Sequence, residues 1–311
     1  MSDLNLEVLN ERAQNAPSEL ISGAEKSYHN IISEIAERIL CDSEIRIVLL
    51  AGPSGSGKTT SANLISDALK SRGRESMVIS LDDFYRNSDD ESYPRLDSGE
   101  RDFESLDALN IPELQNMLMN VSEGDAFLIP KYDFKIGRRS GVTRHVPMQD
   151  GVVIIEGLHA LNPRVFSLLP KKRVFKIFIS VSTNINDAGE RILSGRKIRF
   201  VRRMVRDSIY RNADASHTLS MWKNVLRGED IYLYPHRDNA DISFNTFHEF
   251  ELGVMRKFVL NLISEELAEE DVYAKTVRNA LSFVYPIDIS LVPESSLIRE
   301  FIPGGIYENL Y

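Results

Sequence analysis

Cysteine is almost missing. Cys41 is the only one in 311 residues, which excludes an intrachain disulfide and a cysteine-rich metal site and makes a reducing compartment the simplest setting. Basic charge is in deficit too: 37 Lys and Arg stand against 46 Asp and Glu, a net charge of −9. That balance argues against broad nucleic-acid binding by phosphate neutralisation, although a local basic patch is compatible with it. No apolar run approaches the ~20 residues that span a bilayer. The opening Met1-Ser2-Asp3-Leu4-Asn5-Leu6-Glu7 lacks the basic and then apolar order of a secretory leader. Internal repeats and low-complexity blocks are absent as well. The expectation is a cytoplasmic protein with no membrane and no nucleic-acid partner. The remainder is ordinary for a globular chain, 42% hydrophobic and 27% charged, long enough for one large domain or two smaller ones.

What is present centres on Gly52-Pro53-Ser54-Gly55-Ser56-Gly57-Lys58-Thr59-Thr60, which fits the phosphate-binding pattern G-x-x-x-x-G-K-[ST] without a mismatch. The glycines let the backbone fold into a tight cradle with its N–H groups turned inward at phosphate oxygens. A helix starting at the end of the cradle favours an anion at its N-terminus. Lys58 can reach the β- and γ-phosphates, and the Thr59 hydroxyl can hold Mg²⁺. The motif needs a strand before it and a helix after it. Residues 45–51 form an apolar, β-branched run, and Leu64, Ile65, Ala68 and Leu69 recur at helical spacing. The alternative is a Gly-Ser loop that matches by chance.

Residues 1–20 are polar and mixed, with no firm structure expected. An amphipathic helix is expected from about Ala24 to Leu40, packed on its own domain or on a partner. Residues 76–81 read as a strand ending in Asp82-Asp83, two carboxylates at the end of the sheet where ligands sit, or else a turn cap. Residues 87–104 look like an exposed loop, residues 111–121 a helix, and residues 126–130 a strand. The last leads into Lys131-Tyr132-Asp133-Phe134-Lys135-Ile136-Gly137-Arg138-Arg139, aromatics beside cations that can sandwich a flat ring or simply fill a core. The apolar run 151–155 ends in Glu156, placed as a Mg²⁺ carboxylate often is. Residues 174–180 are a further strand. Strands alternating with helices predict a parallel sheet covered on both faces. Residues 190–211 concentrate bases, with Arg199, Arg203 and Arg206 expected on one helical face. That face is either solvated or a lid that closes over phosphates. A helix containing Trp222, a terminal strand at 240–245, and helices over roughly 248–267 and 270–282 follow. The Pro- and Gly-containing end looks like a tail laid over the surface.

The order of these motifs, with Asp82-Asp83-Phe84-Tyr85, Ile129-Pro130-Lys131-Tyr132-Asp133-Phe134, Ile154-Ile155-Glu156-Gly157-Leu158 and Arg202-Arg203-Met204-Val205-Arg206-Asp207, resembles the uridine kinase and phosphoribulokinase family of P-loop kinases over about residues 45–247. The stretch from Met221 to Asn245 and the end Ser296-Leu297-Ile298-Arg299-Glu300-Phe301-Ile302 resemble a bacterial uridine-kinase-like branch, whose small N-terminal domain residues 1–44 are too short to supply. The resemblance implies an α/β P-loop NTPase fold of three layers, with a parallel sheet, a helical lid and flanking terminal helices. Its divisions would be a helical extension at 1–44, a kinase domain at 45–267 with a lid at about 190–215, and a C-terminal helix and tail at 268–311.

The resemblance also implies roles. Asp82 matches the general base, assisted by Lys58, Arg203 and Arg206, and Gly52 to Thr60 hold ATP. Thr59 and Glu156 match the Mg²⁺ ligands. Asp83, Glu104, Tyr132, Phe134, Arg139 and Arg211 fall in the acceptor site, Glu104 where a carboxylate holds ribose hydroxyls. Uridine-cytidine kinases usually carry a histidine where this chain has Gly137, so a polar base reader would be missing or supplied from elsewhere, by Arg138 or Lys135. The expected activity is ATP-dependent phosphorylation of a nucleoside to its 5′-monophosphate, with Mg²⁺ accompanying ATP and a homo-oligomer compatible with the family. The alternatives are another acceptor of phosphoribulose, inositol, pantothenate or glycerate type, a non-transferase P-loop ATPase, or a nucleotide sensor. A GTPase switch lacks its Asn-Lys-x-Asp guanine reader here. A transport ATPase signature that begins at Leu193-Ser194-Gly195 is broken by Arg196-Lys197.

Overall fold

The computed structural model of the protein describes residues 2–134, 136–145 and 150–310. The first twenty residues differ from expectation, because they are regular. Strand β1 (Ser2–Asn5) is followed by helices α1 (Leu6–Asn15) and α2 (Pro17–Leu40). The Asn5 side chain caps α1 by accepting from the N–H groups of Glu7 and Val8 at 2.7 and 3.4 Å. Pro17 suits the first turn of α2, where no N–H is needed. β1 owes its form to a distant parallel partner at residues 183–186, which no local pattern reveals.

Strand β2 (Ile47–Ala51), buried at every position, feeds the glycine-rich loop and helix α3 (Lys58–Lys70). Strand β3 (Ser76–Ser80), helix α4 (Ile111–Glu123), the hairpin β4 (Phe127–Asp133) and β5 (Arg138–His145), and strand β6 (Val152–Glu156) follow. A short helix α5 (Pro163–Phe166) leads to β7 (Val174–Ser180). β8 (Thr183–Asp187) and β9 (Glu190–Leu193) join β1 in a small sheet. Helices α6 (Gly195–Tyr210) and α7 (Ala215–Gly228) and strand β10 (Ile242–Asn245) come next. The main sheet has the order β10-β7-β2-β6-β3, with every pairing parallel. Its central strands are continuous apolar runs because both faces are covered. The segment at about 190–215 therefore begins as a strand and becomes helical only at Gly195.

One face of the sheet packs against α2, α3, α6 and α8 (Glu251–Leu262), the other against α4 and the turns beside it. The helix expected over 248–267 breaks at Ile263, and Ser264 caps a separate α9 (Glu265–Glu270) ahead of α10 (Val272–Ser282). The segment at 87–104 is only partly exposed, since Tyr93 and Asp102 are buried. The tail is not a surface strap. Leu297, Ile298, Phe301 and Ile302 are wholly buried in the same cluster that holds α2, α3 and α6. Among the described residues no helix is long and apolar enough to cross a membrane.

Two ion pairs lie inside this core. Arg199 of α6 forks onto Glu229, at 2.6 and 2.7 Å, from a π turn over Glu229–Leu233. Arg202 forks onto Glu251 at the start of α8, at 2.9 and 2.7 Å. All four side chains are at most 1% exposed, so Arg199 does not share an outward face with Arg203. A buried charge left without its partner is strongly destabilising, whereas replacing both partners with apolar groups can be neutral. Glu251→Ala is therefore expected to lower stability by about 3–5 kcal/mol. The double change Arg202→Met with Glu251→Leu should recover most of that loss, as read from urea unfolding midpoints.

Candidate active site

The loop between β2 and α3 has the shape its sequence demands. Gly55 and Gly57 take φ of 72° and 86°, the left-handed region that glycine enters without steric cost. A Cβ on Gly55 would lie 2.6 Å from the Arg199 carbonyl oxygen, and one on Gly57 would lie 2.6 Å from Leu297 Cδ1. The outer side of the loop is held by the two buried arginines. Arg199 donates to the Ser54 carbonyl at 2.8 Å, and Glu229 accepts the Ser54 N–H at 3.0 Å. Arg202 donates to the Gly55 carbonyl at 3.2 Å, and the Thr246 hydroxyl to the Ser56 carbonyl at 2.8 Å. With these carbonyls tied back, the cradle is kept open for an anion. Lys58 bends over the loop and donates to the Pro53 carbonyl at 3.2 Å.

Beyond the carboxyl ends of β3 and β6 stand the expected acids. The Thr59 hydroxyl donates to Glu156 Oε1 at 3.2 Å. These are hard oxygen donors of the type that Mg²⁺ takes alongside phosphate oxygens, and among the described residues no cluster of three or more His, Cys, Asp or Glu offers an all-protein metal cage. Desolvation raises the Glu156 carboxyl to about 7, opposed by Lys58 and reinforced by Asp82. Asp82 follows β3 in a 3₁₀ turn, Leu81–Phe84, capped by Ser80. It is open to solvent on the cleft side, yet desolvation by the surrounding protein raises it, against the pull of Lys58, Arg211 and Arg206. The raising effect grows once ligands exclude water from the cleft. Glu104, half-buried, is raised to about 7 by desolvation, opposed by Arg203 and reinforced by Glu229 and Asp82.

The predicted arginines converge on one carboxylate that the sequence reading left without a role. Asp207 is 3.2 Å from Arg203, 2.9 Å from Arg206 and 3.4 Å from Arg211. These cations outweigh desolvation and hold Asp207 below its ordinary range. Arg203 also donates to the Ser54 hydroxyl at 2.8 Å, which ties α6 to the loop. The neighbouring Arg206, and then desolvation, pull Arg211 down to about 10. The i, i+4 spacing of Arg203, Asp207 and Arg211 was the available signal.

The hairpin supplies the aromatic wall. Tyr132 packs with Phe134 at 5.0 Å between ring centres, and Tyr85 joins both at 5.6 and 5.9 Å. Phe134 is 65% exposed, so this wall is open on one side. Asp83 accepts the Tyr132 N–H at 3.4 Å, tying the hairpin to the end of β3. Arg139 pairs with Glu113 at 2.6 Å and donates to the Tyr85 carbonyl at 3.2 Å. Gly137 has φ of 65°. Arg138 pairs with Asp89 at 2.6 Å, and Lys135 lies outside the described residues. Sequence reasoning passed over Tyr85, Glu229 and Glu300. Tyr85 was legible in Asp-Asp-Phe-Tyr, but the other two reach the loop only through tertiary packing.

A glycine-rich cradle at the start of a helix, carboxylates at neighbouring strand ends and a parallel sheet beneath them define an α/β nucleotide-binding protein of the P-loop class. The chain belongs to the phosphoribulokinase/uridine kinase family, whose model matches residues 47–252. It is 30% identical over 198 residues to uridine kinase-like protein 4 of Arabidopsis thaliana, covering 63% of this chain and 37% of that protein. It is 29% identical over 200 residues to a uridine kinase of Borrelia hermsii, covering 64% of this chain and 85% of that one. The chain spans about two fifths of the first curated relatives it matches, 37% of the Arabidopsis protein and 40% of a yeast uridine kinase. A crystal structure described as a fructose transport system kinase from Silicibacter sp. TM1040 superposes with a TM-score of 0.50 at 17% identity. It covers 68% of this chain and 98% of that one, a likeness of fold.

The shift at Glu156 has a thermodynamic consequence. A carboxyl whose folded pKa lies above its unfolded value stabilises the fold while protonated. That contribution is whole below about 4.5 and is lost as pH rises through about 7. In the absence of nucleotide, Glu156→Gln should therefore be more stable than the parent at pH 8, by on the order of 1–3 kcal/mol. The two should converge at pH 4.5, as measured by urea unfolding at both values.

Proposed function

We propose that the protein is an ATP-dependent kinase of a small-molecule hydroxyl, with a nucleoside converted to its 5′-monophosphate as the favoured acceptor. The observation that carries this reading is the setting of Asp82. Its carboxyl faces the cleft at the end of β3, with Lys58, Arg206 and Arg211 acting on it and Glu156 close by. In this reading residues 52–60 hold the donor triphosphate. Asp82 orients the acceptor hydroxyl and takes its proton. Lys58, Arg203 and Arg206 offset charge on the moving phosphoryl group. Thr59 and Glu156 would hold Mg²⁺, which would supply neutralisation of phosphate charge. Glu104, Asp83 and Arg211 line the acceptor side, and Tyr132 and Phe134, with Tyr85, form the ring-binding wall. Arg139, expected in that wall, acts here as a brace for Tyr85. The names of the curated relatives support the nucleoside as acceptor.

A second acceptor class is favoured by one observation. Gly137 has a left-handed backbone, and a Cβ there would lie 2.6 Å from Ser88 Oγ, so the position carries no side chain to read a base edge. A site that does not hydrogen-bond its ligand discriminates weakly. Another polyol of phosphoribulose, inositol, pantothenate or glycerate type is the competing reading.

One assay separates these readings. ADP release is followed with ATP and Mg²⁺ against uridine, cytidine, other nucleosides and the four competing acceptors. Release that depends on a nucleoside is the expected result, and release without any acceptor would replace the kinase by an ATPase. With the acceptor identified, Asp82→Asn should lower turnover about 10²–10⁴-fold while nucleotide affinity changes little. Turnover at the parental rate would remove Asp82 from the role of base.

A further inference from the structure

The C-terminal segment carries an anion to the phosphate loop. Residues Leu297–Glu300 form one 3₁₀ turn capped by Ser296. This turn brings the Glu300 carboxylate onto the first turn of α3, where Oε2 accepts from the Thr60 N–H at 3.3 Å and from the Thr60 hydroxyl at 2.9 Å. Glu300 is 4% exposed. The nearby arginines are directed elsewhere. Arg299 turns to the carbonyls of Val292 and Ile289. Arg202 lies over the Phe301 ring at 5.1 Å with its guanidinium committed to Glu251. The carboxylate is thus seated on helix N-terminal donors, the kind of site that binds a phosphate oxygen. Leu297, one turn earlier, covers Gly57, the last glycine of the cradle.

The donors at this end of the loop belong to the set that cradles the α- and β-phosphates of a bound nucleotide. A nucleotide and the Glu300 carboxylate would both call on the Thr60 donors, and two anions at that spacing repel. We propose that the tail carries a built-in competitor of the donor nucleotide: the Glu300 carboxylate takes the place of a phosphate oxygen at Thr60, and the nucleotide must turn that side chain aside to complete its contacts, while Leu297, Ile298, Phe301 and Ile302 stay in the core. The proposal rests on the reading of residues 52–60 as the ATP site. The seated carboxylate then lowers apparent nucleotide affinity by the fraction of molecules in which Thr60 is released.

Glu300→Gln keeps the shape and removes the charge, so the fold is preserved while the competitor is weakened. Calorimetric titration of the full chain with ATP and Mg²⁺ should show the variant binding about tenfold more tightly than the parent. Equal or weaker binding by the variant overturns the competition and leaves the kinase reading standing. No ATP binding by either protein overturns the donor-site reading, and the competition with it.

Discussion

The phosphate loop is held from behind by two arginine–glutamate pairs buried in the core. Arg199 with Glu229, and Arg202 with Glu251, leave no charge unmatched, and their spare donors grip the carbonyls of Ser54 and Gly55. A glycine-rich loop has little intrinsic preference for one shape, because glycine loses more conformational freedom on ordering than any other residue. The carbonyl anchors supply that preference. They fix the carbonyls of Ser54, Gly55 and Ser56 on the outer side, where the Ser54 N–H is also held by Glu229 and the Ser56 N–H by the Pro53 carbonyl. Removing two arginines from water is expensive, and each fork answers that expense with two charge-assisted hydrogen bonds in a fixed plane.

Charge in the cleft is divided by position. Around the strand ends, Asp82 raises both Glu156 and Glu104, and desolvation raises all three. On the helical side, Arg203, Arg206 and Arg211 gather on the single carboxylate of Asp207. Without Asp207 three guanidinium groups would face one another directly. With it, they are held as a cluster of net positive charge opposite the acids. An acidic protein thereby presents a basic wall to its cleft.

The central sheet was legible because its cause is local. The runs 47–51, 76–80, 152–156 and 174–180 are apolar and bounded, and buried parallel strands need nothing more. The loop and the strand-end acids were legible for the same reason, as fixed spacings within one or two elements. β1 was not, since its four residues become a strand only by pairing with Thr183–Asn186. For the arginines of α6 the sequence offers one shared face, solvated or a lid, for Arg199, Arg203 and Arg206. Helical spacing does place Arg199 and Arg203 together, but it cannot say that Glu229 waits inside the core. The tail misled by composition: its prolines and glycines suggest a surface strap, while the apolar positions between them, Leu297, Ile298, Phe301 and Ile302, fill a shared core.

The hydrogen bond from Thr60 to Glu300 joins residues 240 apart in the chain, and the anchors from Arg199 and Thr246 span 145 and 190 residues. The cradle is written early in the chain, but its shape is completed by segments synthesised much later. Contacts of such long range close slowly, because the loop entropy must be overcome before they contribute. On a ribosome, where chains emerge at about 5–20 residues per second, the motif is exposed well before the arginines that shape it. During that interval the loop is a flexible glycine-serine stretch, and the geometry for gripping phosphate arises only as the last third of the chain folds back on the first.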